Sequence, residues 1–302
     1  MSRARHNYVG WLFALPALFF IFIWLVYPTL WTIRASFYSG IGFNLTKFVG
    51  LDNYTQLFTQ DPYFFNTSTF PPTGTAVNNV IWLFVFTSLV IVLGLIIAVL
   101  AEKVRYEAII KGAIFLSYAI SATAAGMIWL FMYDTHVGLI NAVLSAIIPG
   151  WQPIAFTGDQ SLATISIIVA AVWTQTGFTT VVTSAALKGI PADIIEAARV
   201  DGANAWQIFS GIQVPMISST LTVIAVTMII FVIKVFDLIF VMGGTLGGPF
   251  GSARVIAFTQ YLETFMNGHL GYGSAIAVIM MLLVLPIIFF NLRQFRREES
   301  IR

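Results

Sequence analysis

The sequence predicts an all-α polytopic membrane protein, a single domain of six transmembrane helices over residues 1–302. Charged side chains make up only 9% of the chain and hydrophobic ones 58%, whereas a typical soluble domain carries about 25% charged residues. Six runs of mostly apolar residues are long enough to cross the roughly 30 Å of hydrocarbon in a bilayer. No stretch between them could bury a core of its own, which excludes an attached soluble catalytic domain.

We expect the first predicted helix to be retained rather than cleaved. Arg3 and Arg5 precede it, as in a signal peptide, but its apolar run exceeds the usual ~7–15 residues and no small-x-small cleavage site closes it. Pro16 and Pro28 should break or bend it. The six helices are predicted at about 8–33, 77–101, 109–132, 161–187, 217–242 and 271–292.

The later helices differ in their polar content. The second and fourth contain no charge, and the third has only Lys111 at its start. Small residues over 117–126 should let the third helix pack closely. The fifth carries Lys234 and Asp237, which lie three apart and could pair on one helical face.

Lys and Arg residues indicate the orientation, because cytoplasmic connections are enriched in them. With the N-terminus inside, eleven of these cations fall on the inner side and four on the other. We therefore expect both termini in the cytoplasm. The inner set is Arg3, Arg5, Lys103, Arg105, Lys111, Lys188, Arg199, Arg293, Arg296, Arg297 and Arg302; the outer set is Arg34, Lys47, Lys234 and Arg254.

Enzyme signatures are missing. No Lys follows Gly or precedes Ser or Thr, so the phosphate-binding P-loop cannot be present, and no G-x-S-x-G pattern occurs. Cysteine is absent, and His6, His136 and His269 lie in separate segments, so a metal site has no local support. We predict no catalytic residues, no metal, and no cofactor bound by this chain; the net charge of +2 does not indicate nucleic acid.

The cytoplasmic connection over residues 188–215 has local signals for a helix, a sharp turn and a second helix. Pro191 suits the first position of a helix. Gly202 breaks that helix, and Asn204 with Gln207 three residues later forms a capping-box pattern. We call this connection the coupling segment.

A partly apolar short helix on a membrane face needs either lipid or a protein partner. Lipid-binding helices usually carry many cations, whereas this one has Arg199 against Asp193, Glu196 and Asp201. A protein partner is therefore the preferred interpretation.

The coupling segment resembles the EAA signature of binding-protein-dependent ABC transporter permeases, in their carbohydrate-uptake, maltose-transporter-like branch. Glu196-Ala197-Ala198 is followed after three residues by Gly202 and after nine more by Ile212, with Pro215 closing the pattern. Val214 replaces the usual Leu. Further similarity, over nearly the whole chain, lies in 48–54, Phe236-Asp237, the glycine-rich 243–249 and 271–275.

The resemblance implies that this helix docks on a separate ATP-hydrolysing subunit and transmits its movement to the membrane helices. It also implies two such subunits, which hold ATP and Mg, a second and different permease, and an extracytoplasmic solute-binding protein. The location that it implies is the inner membrane of a prokaryotic cell. The implied coupling residues are Glu196, Ala197, Ala198, Arg199, Asp201 and Gly202. The alternative is that Ala197, Ala198 and Gly202 only pack the two short helices together.

Polar residues in the fourth and fifth helices are candidates for the solute pathway. Thr176, Thr179, Thr180 and Thr183 share one helical face, and such a stripe either joins helices or lines a cavity. An ion-coupled secondary transporter using Lys234 or Asp237 is the alternative function, although it leaves the coupling segment without a purpose. The sequence does not select among sugars, polyols and glycerol derivatives. The candidate pathway residues are Trp173, Gln175, Thr176, Thr179, Lys234 and Asp237.

Overall fold

The computed structural model describes residues 3–42, 44–65 and 74–299. The chain forms two compact units, which we describe separately. One comprises Met1–Asp61 with Thr259–Leu282, and the other comprises Pro62–Phe258 with Leu283–Arg302. Pro71 and Pro72, which argue against a long regular element between the first two predicted helices, lie outside the described residues.

In the first unit, the N-terminal span is a nearly continuous helix. Helix α1 (Arg3–Ile21) passes through a π-helical turn (Phe22–Val26) into α2 (Tyr27–Ala35). Pro16 lies inside α1, and Pro28 lies in the first turn of α2. Neither proline ends the helix: α1 continues for five residues beyond Pro16, and Pro28 lies in the first turn of α2, where a helix tolerates proline.

A small β-hairpin follows, formed by β1 (Tyr38–Ile41) and β2 (Asn44–Phe48) in antiparallel pairing. Next come the short helix α3 (Asp52–Thr55) and a π-helical turn, Gln56–Gln60. The buried Asn53 donates from Nδ2 to the carbonyl oxygens of Ser36 (2.8 Å) and Tyr38 (3.0 Å). One side chain thus holds the end of α2 and the start of the hairpin.

The second unit is built around two packed helices. Helix α4 (Thr75–Ile81), a π-helical turn (Trp82–Phe86) and α5 (Thr87–Ala101) form one span, Thr75–Ala101. It packs against α9 (Ala163–Lys188), of which most side chains are buried. At the contact, a Cβ added to Gly94 would lie 2.4 Å from Cγ2 of Thr179. A glycine is therefore what allows the two helices to approach this closely.

The third predicted helix, 109–132, is broken. Helix α6 (Glu107–Ala119) and α7 (Ala122–Tyr133) meet at a bend of 102°. Ile120 and Ser121 adopt extended backbone angles, and Ser121 Oγ accepts a bond from Ala124 N (3.2 Å) as the N-cap of α7. The apolar run hid this cap, because a single serine hardly changes mean hydropathy. Beyond α7 lies the short helix α8 (Leu139–Ile147).

The fifth predicted helix, 217–242, is also interrupted. The coupling segment contains α10 (Ala192–Val200), α11 (Ala205–Ile208), a π-helical turn and α12 (Val214–Met216). After a bend of 68° comes α13 (Ser218–Lys234). Val235 and Phe236 leave helical geometry before α14 (Asp237–Gly243).

The C-terminal part begins with two 3₁₀ turns, Gly244–Leu246 and Pro249–Gly251, in the glycine-rich stretch. It continues with α15 (Ile256–Tyr261), a π-helical turn (Leu262–Met266) and α16 (Leu270–Glu299). Within the described chain, four helices are long and apolar enough to cross a membrane, or up to six if each bent pair is one span. The number of six crossings therefore stays a prediction.

Candidate functional site

The coupling segment is a helix–turn–helix defined by local hydrogen bonds. Pro191 is the N-cap residue rather than the first helical residue, so α10 begins one position later than predicted. Asp193 lies in its first turn, where the positive end of the helix dipole favours a carboxylate. At the other end, Gly202 N donates to the carbonyl oxygen of Arg199 (3.1 Å), and Ala203 N donates to that of Ala198 (2.9 Å).

These two bonds form a Schellman motif, which requires a left-handed residue after the helix. Gly202 supplies it with φ of +85°. The predicted capping box is confirmed: Asn204 N donates to Oε1 of Gln207 (2.8 Å), and Gln207 N donates to Oδ1 of Asn204 (2.9 Å). The turn between α10 and α11 therefore has defined geometry without any contact from outside the segment.

This helix–turn–helix presents an uncovered surface. No residue of α10 is buried, and the apolar side chains of Val200 and Trp206 are 87% and 70% exposed. Ala198 is half-buried, whereas Ala197 is exposed and a Cβ on Gly202 would meet nothing within 4 Å. Packing between α10 and α11 therefore does not account for Ala197 or Gly202. Glu196, Arg199 and Asp201 are exposed beside them.

At its base, the segment joins a buried apolar cluster. Ala98 of α5, Leu187 of α9 and Ile217 before α13 are buried together, with Ile190 packed against them. The cluster fixes the ends of three membrane helices to the two ends of the coupling segment.

An ionic cluster beside this base escaped sequence analysis. The Glu107 carboxylate pairs with Lys111 on its own helix and with Lys188 at the end of α9 (2.6 Å). Lys111 also donates to the hydroxyl of Ser184. The i,i+4 spacing of Glu107 and Lys111 signals the first pair, but only the packing of α6 on α9 brings in the other two residues.

A second candidate site lies where two helix breaks meet. A cavity of about 330 Å³ is lined by Ala122, which follows the break between α6 and α7, and by residues around the break between α13 and α14. Lys234 and Asp237 line this cavity, and both side chains are exposed. Within the described chain no ion pair joins them. The predicted pairing is wrong because the helix that would have carried both side chains on one face ends at Lys234.

The other candidate pathway residues lie elsewhere in the second unit. Trp173 and Thr176 line a largely apolar cavity of about 540 Å³ between α5, α6 and α9. Thr179 is buried against Gly94, and Gln175 is half-buried. The hydroxyls of Thr179, Thr180 and Thr183 are buried and have no hydrogen-bond partner among the residues described. Of the six candidates, four thus line one of two cavities and Thr179 lies at a helix contact, whereas Gln175 lines neither cavity.

Over residues 3–42, 44–65 and 74–299, no group of three or more His, Asp or Glu side chains could hold a metal ion.

Comparison with known proteins identifies the family of this chain. Residues 90–298 match the family model described as binding-protein-dependent transport system inner membrane component. The osmoprotective compounds uptake permease protein GgtC of Synechocystis sp. is 43% identical over 297 residues, covering 96% of this chain and 100% of that protein. The alpha-glucoside transport system permease protein AglF of Rhizobium meliloti is 39% identical, with coverage of 99% and 85%.

A solved structure shares the fold. It is that of a bacterial alginate ABC transporter in complex with an alginate pentasaccharide-bound periplasmic protein. The similar chain in it superposes with a TM-score of 0.78 at 21% identity, covering 97% of this chain and 96% of that chain. None of these comparisons supports an ion-coupled secondary transporter.

Proposed function

Because the chain belongs to the family of inner membrane components of binding-protein-dependent transport systems, we propose that it is the permease of an ATP-driven importer for a sugar or sugar-like solute. The observation that carries the proposal is the exposed, internally hydrogen-bonded coupling segment, fixed at its base to three membrane helices. A chain without a P-loop needs an external source of energy, and this segment is a surface through which a partner can supply it.

The proposed partner is a pair of ATP-binding subunits that hold ATP and Mg. Glu196, Arg199 and Asp201 offer charged contacts to them, while Ala197 and Ala198 permit close approach and Gly202 keeps the turn. Closure of the two subunits around ATP would displace α10, and the apolar cluster at Ala98, Leu187 and Ile217 would carry this displacement into α5, α9 and α13. Such coupling works only if the partner binds the two states of the permease with different affinity.

The remaining assembly follows from the family. We propose a second, different permease subunit, an extracytoplasmic solute-binding protein, and an inner-membrane location with both termini in the cytoplasm. The relatives are named for osmoprotective compounds and alpha-glucosides, which supports a polyhydroxylated solute for this chain also.

The cavity at the two helix breaks is the proposed point of solute passage. Irregular backbone at membrane depth is tolerated only where it is buried in protein or lines a water-filled space. Exposed charges in a membrane span face a pathway or a partner for the same reason. Lys234 can donate hydrogen bonds to solute hydroxyls and Asp237 can accept them. Thr179 of α9 then serves helix packing, while Trp173 and Thr176 line the separate cavity between α5, α6 and α9 and Gln175 is half-buried on the same helix.

Transport in liposomes tests the proposal. The chain is purified with its partner subunits, reconstituted with ATP inside, and assayed for uptake of an alpha-glucoside or a glycosylated polyol with and without an ionophore. We expect uptake that requires ATP and is insensitive to the ionophore. Glu196→Lys should abolish solute-stimulated ATP hydrolysis, while Lys103→Glu, an equal charge reversal at an exposed residue outside the coupling segment, should not. Uptake driven by an ion gradient without ATP would refute the proposal.

The pathway is tested separately. Lys234→Met should weaken solute uptake while the complex still assembles and hydrolyses ATP, and Lys103→Met is its matched control. Unchanged uptake by Lys234→Met would remove Lys234 from the pathway without affecting the coupling proposal.

A further inference from the structure

Helix α8 carries an apolar stripe that nothing in the described chain covers. Leu139, Val143 and Ile147 lie four residues apart, so they share one face of the helix. Their side chains are 59%, 46% and 71% exposed. Ser145 lies about half a turn away from Val143, because each residue turns the helix by about 100°. We call Leu139, Val143 and Ile147 the α8 stripe.

The orientation of the stripe is fixed by one buried side chain. Asn141 donates from Nδ2 to the carbonyl oxygens of Asp134 (3.2 Å) and Ile154 (3.0 Å). Its Oδ1 accepts bonds from Ile154 N (2.9 Å) and from Nε1 of Trp151 (3.3 Å). These bonds hold the Asn141 face of α8 against the segments before and after it. These hydrogen bonds, and not local mobility, therefore turn the α8 stripe away from the rest of the unit.

The level of α8 along the membrane follows from its neighbours. Helix α9 has 26 residues, about 39 Å at 1.5 Å per residue, which spans a bilayer. Tyr133, the last residue of α7, donates from its hydroxyl to the carbonyl oxygen of Ser166, in the first turn of α9 (3.1 Å). Only five residues separate α7 from α8. Helix α8 therefore lies near one end of α9, at the depth of the bilayer surface, with the coupling segment at the other end.

Helix α8 and the coupling segment differ in their content of charged residues. Residues 138–158 contain no Asp, Glu, Lys or Arg, whereas α10 alone carries Asp193, Glu196 and Arg199. Moving an uncharged segment from bulk water into the headgroup region costs little free energy, and the same transfer is favourable for an exposed apolar stripe. Phe131 of α7 and Val137, two residues before α8, are also exposed apolar side chains.

We infer that α8 lies in the bilayer interface and that the α8 stripe contacts the lipid acyl chains. The occupant of this surface is lipid, not another protein. Because α8 has no cation to attract anionic headgroups, its insertion should not depend on the proportion of anionic lipid.

Single-cysteine labelling tests this inference directly, because the chain contains no cysteine. Val143→Cys and, as the matched control, Ser145→Cys are each labelled with an environment-sensitive fluorophore in the purified transporter reconstituted in liposomes. We expect lipid-borne nitroxide to quench the label at position 143 more than aqueous iodide does, and the reverse order at position 145. The pattern should be the same in zwitterionic liposomes and in liposomes containing phosphatidylglycerol. Leu139→Cys gives a second measurement if one variant assembles poorly.

Two results would overturn the inference. Quenching of the position 143 label by iodide alone would place the α8 stripe in water. Protection from both quenchers would show that a protein subunit covers it. ATP-driven uptake measured on the same preparations keeps either outcome distinct from a failure of the proposed transport function.

Discussion

Replacing Gly202 should uncouple ATP hydrolysis from solute transport, because other residues disfavour the backbone conformation of this turn. The residue has φ of +85°, and an added Cβ would meet nothing within 4 Å. Because there is no clash to relieve, the cost of Gly202→Ala is the cost of left-handed backbone, about 1–2 kcal/mol for an L-residue. That cost corresponds to roughly a 5–30-fold shift away from the native turn.

Asparagine separates backbone strain from side-chain volume. It is larger than alanine but adopts the left-handed conformation more readily, so strain and size predict opposite orders of activity. If the turn conformation controls coupling, solute-stimulated ATP hydrolysis should fall in the order Gly, Asn, Ala. Gly202→Asp has the shape of Gly202→Asn and adds a negative charge beside Asp201, so it should lose more activity than Gly202→Asn.

The assay is ATP hydrolysis by the reconstituted transporter, with and without loaded binding protein. Gly112→Ala is the control, because Gly112 also has open space around it but lies inside helix α6. Higher activity for Ala than for Asn would contradict the strain argument and would mean that side-chain size at the docking surface decides. Wild-type activity for both would show that the turn does not take part in coupling.

Three further outcomes are expected. Gly94→Ala should destabilise the detergent-solubilised complex by about 1–3 kcal/mol, because the added Cβ overlaps with Thr179. The thermal midpoint of unfolding should therefore fall for Gly94→Ala and not for Gly112→Ala. Equal midpoints would mean that α5 and α9 separate freely. Asn204→Ala should cost the coupling segment about 1 kcal/mol, measured as faster amide exchange over residues 203–208 and contradicted by unchanged exchange. The backbone N–H groups of Val137 and His136 hold the pKa of the Asp134 carboxyl below its usual range. This turn should therefore keep its stability above about pH 4 and lose it as the pH falls through the lowered pKa. Amide exchange of the turn measures this loss, and Asp134→Asn, which keeps an acceptor, should remove the pH dependence.

Structural features that depend on a few neighbouring residues were predicted correctly. The capping box at Asn204 and Gln207 was confirmed because both of its bonds form within one turn of chain. The glycine break at Gly202 follows from the same local chemistry, since its left-handed angle is what a Schellman motif requires. Such features are set by backbone bonding and do not depend on which helices surround them.

The helix breaks could not be predicted in the same way. Hydropathy reports whether a segment prefers lipid, and Ile120 or Val235 is as apolar in an extended conformation as in a helix. The two interruptions line one cavity, which lies between segments more than 100 residues apart in sequence. The predicted pairing of Lys234 with Asp237 was wrong for this reason, because it assumed regular helix between them.

The contact between Gly94 and Thr179 restricts how α5 and α9 can move. If α5 slid by one turn along α9, Val90 or Ala98 would stand opposite Thr179, and each has a Cβ where Gly94 has none. Sliding along the helix axis in either direction would therefore place a Cβ against Thr179. A movement of one helix along its axis would therefore carry the other helix with it.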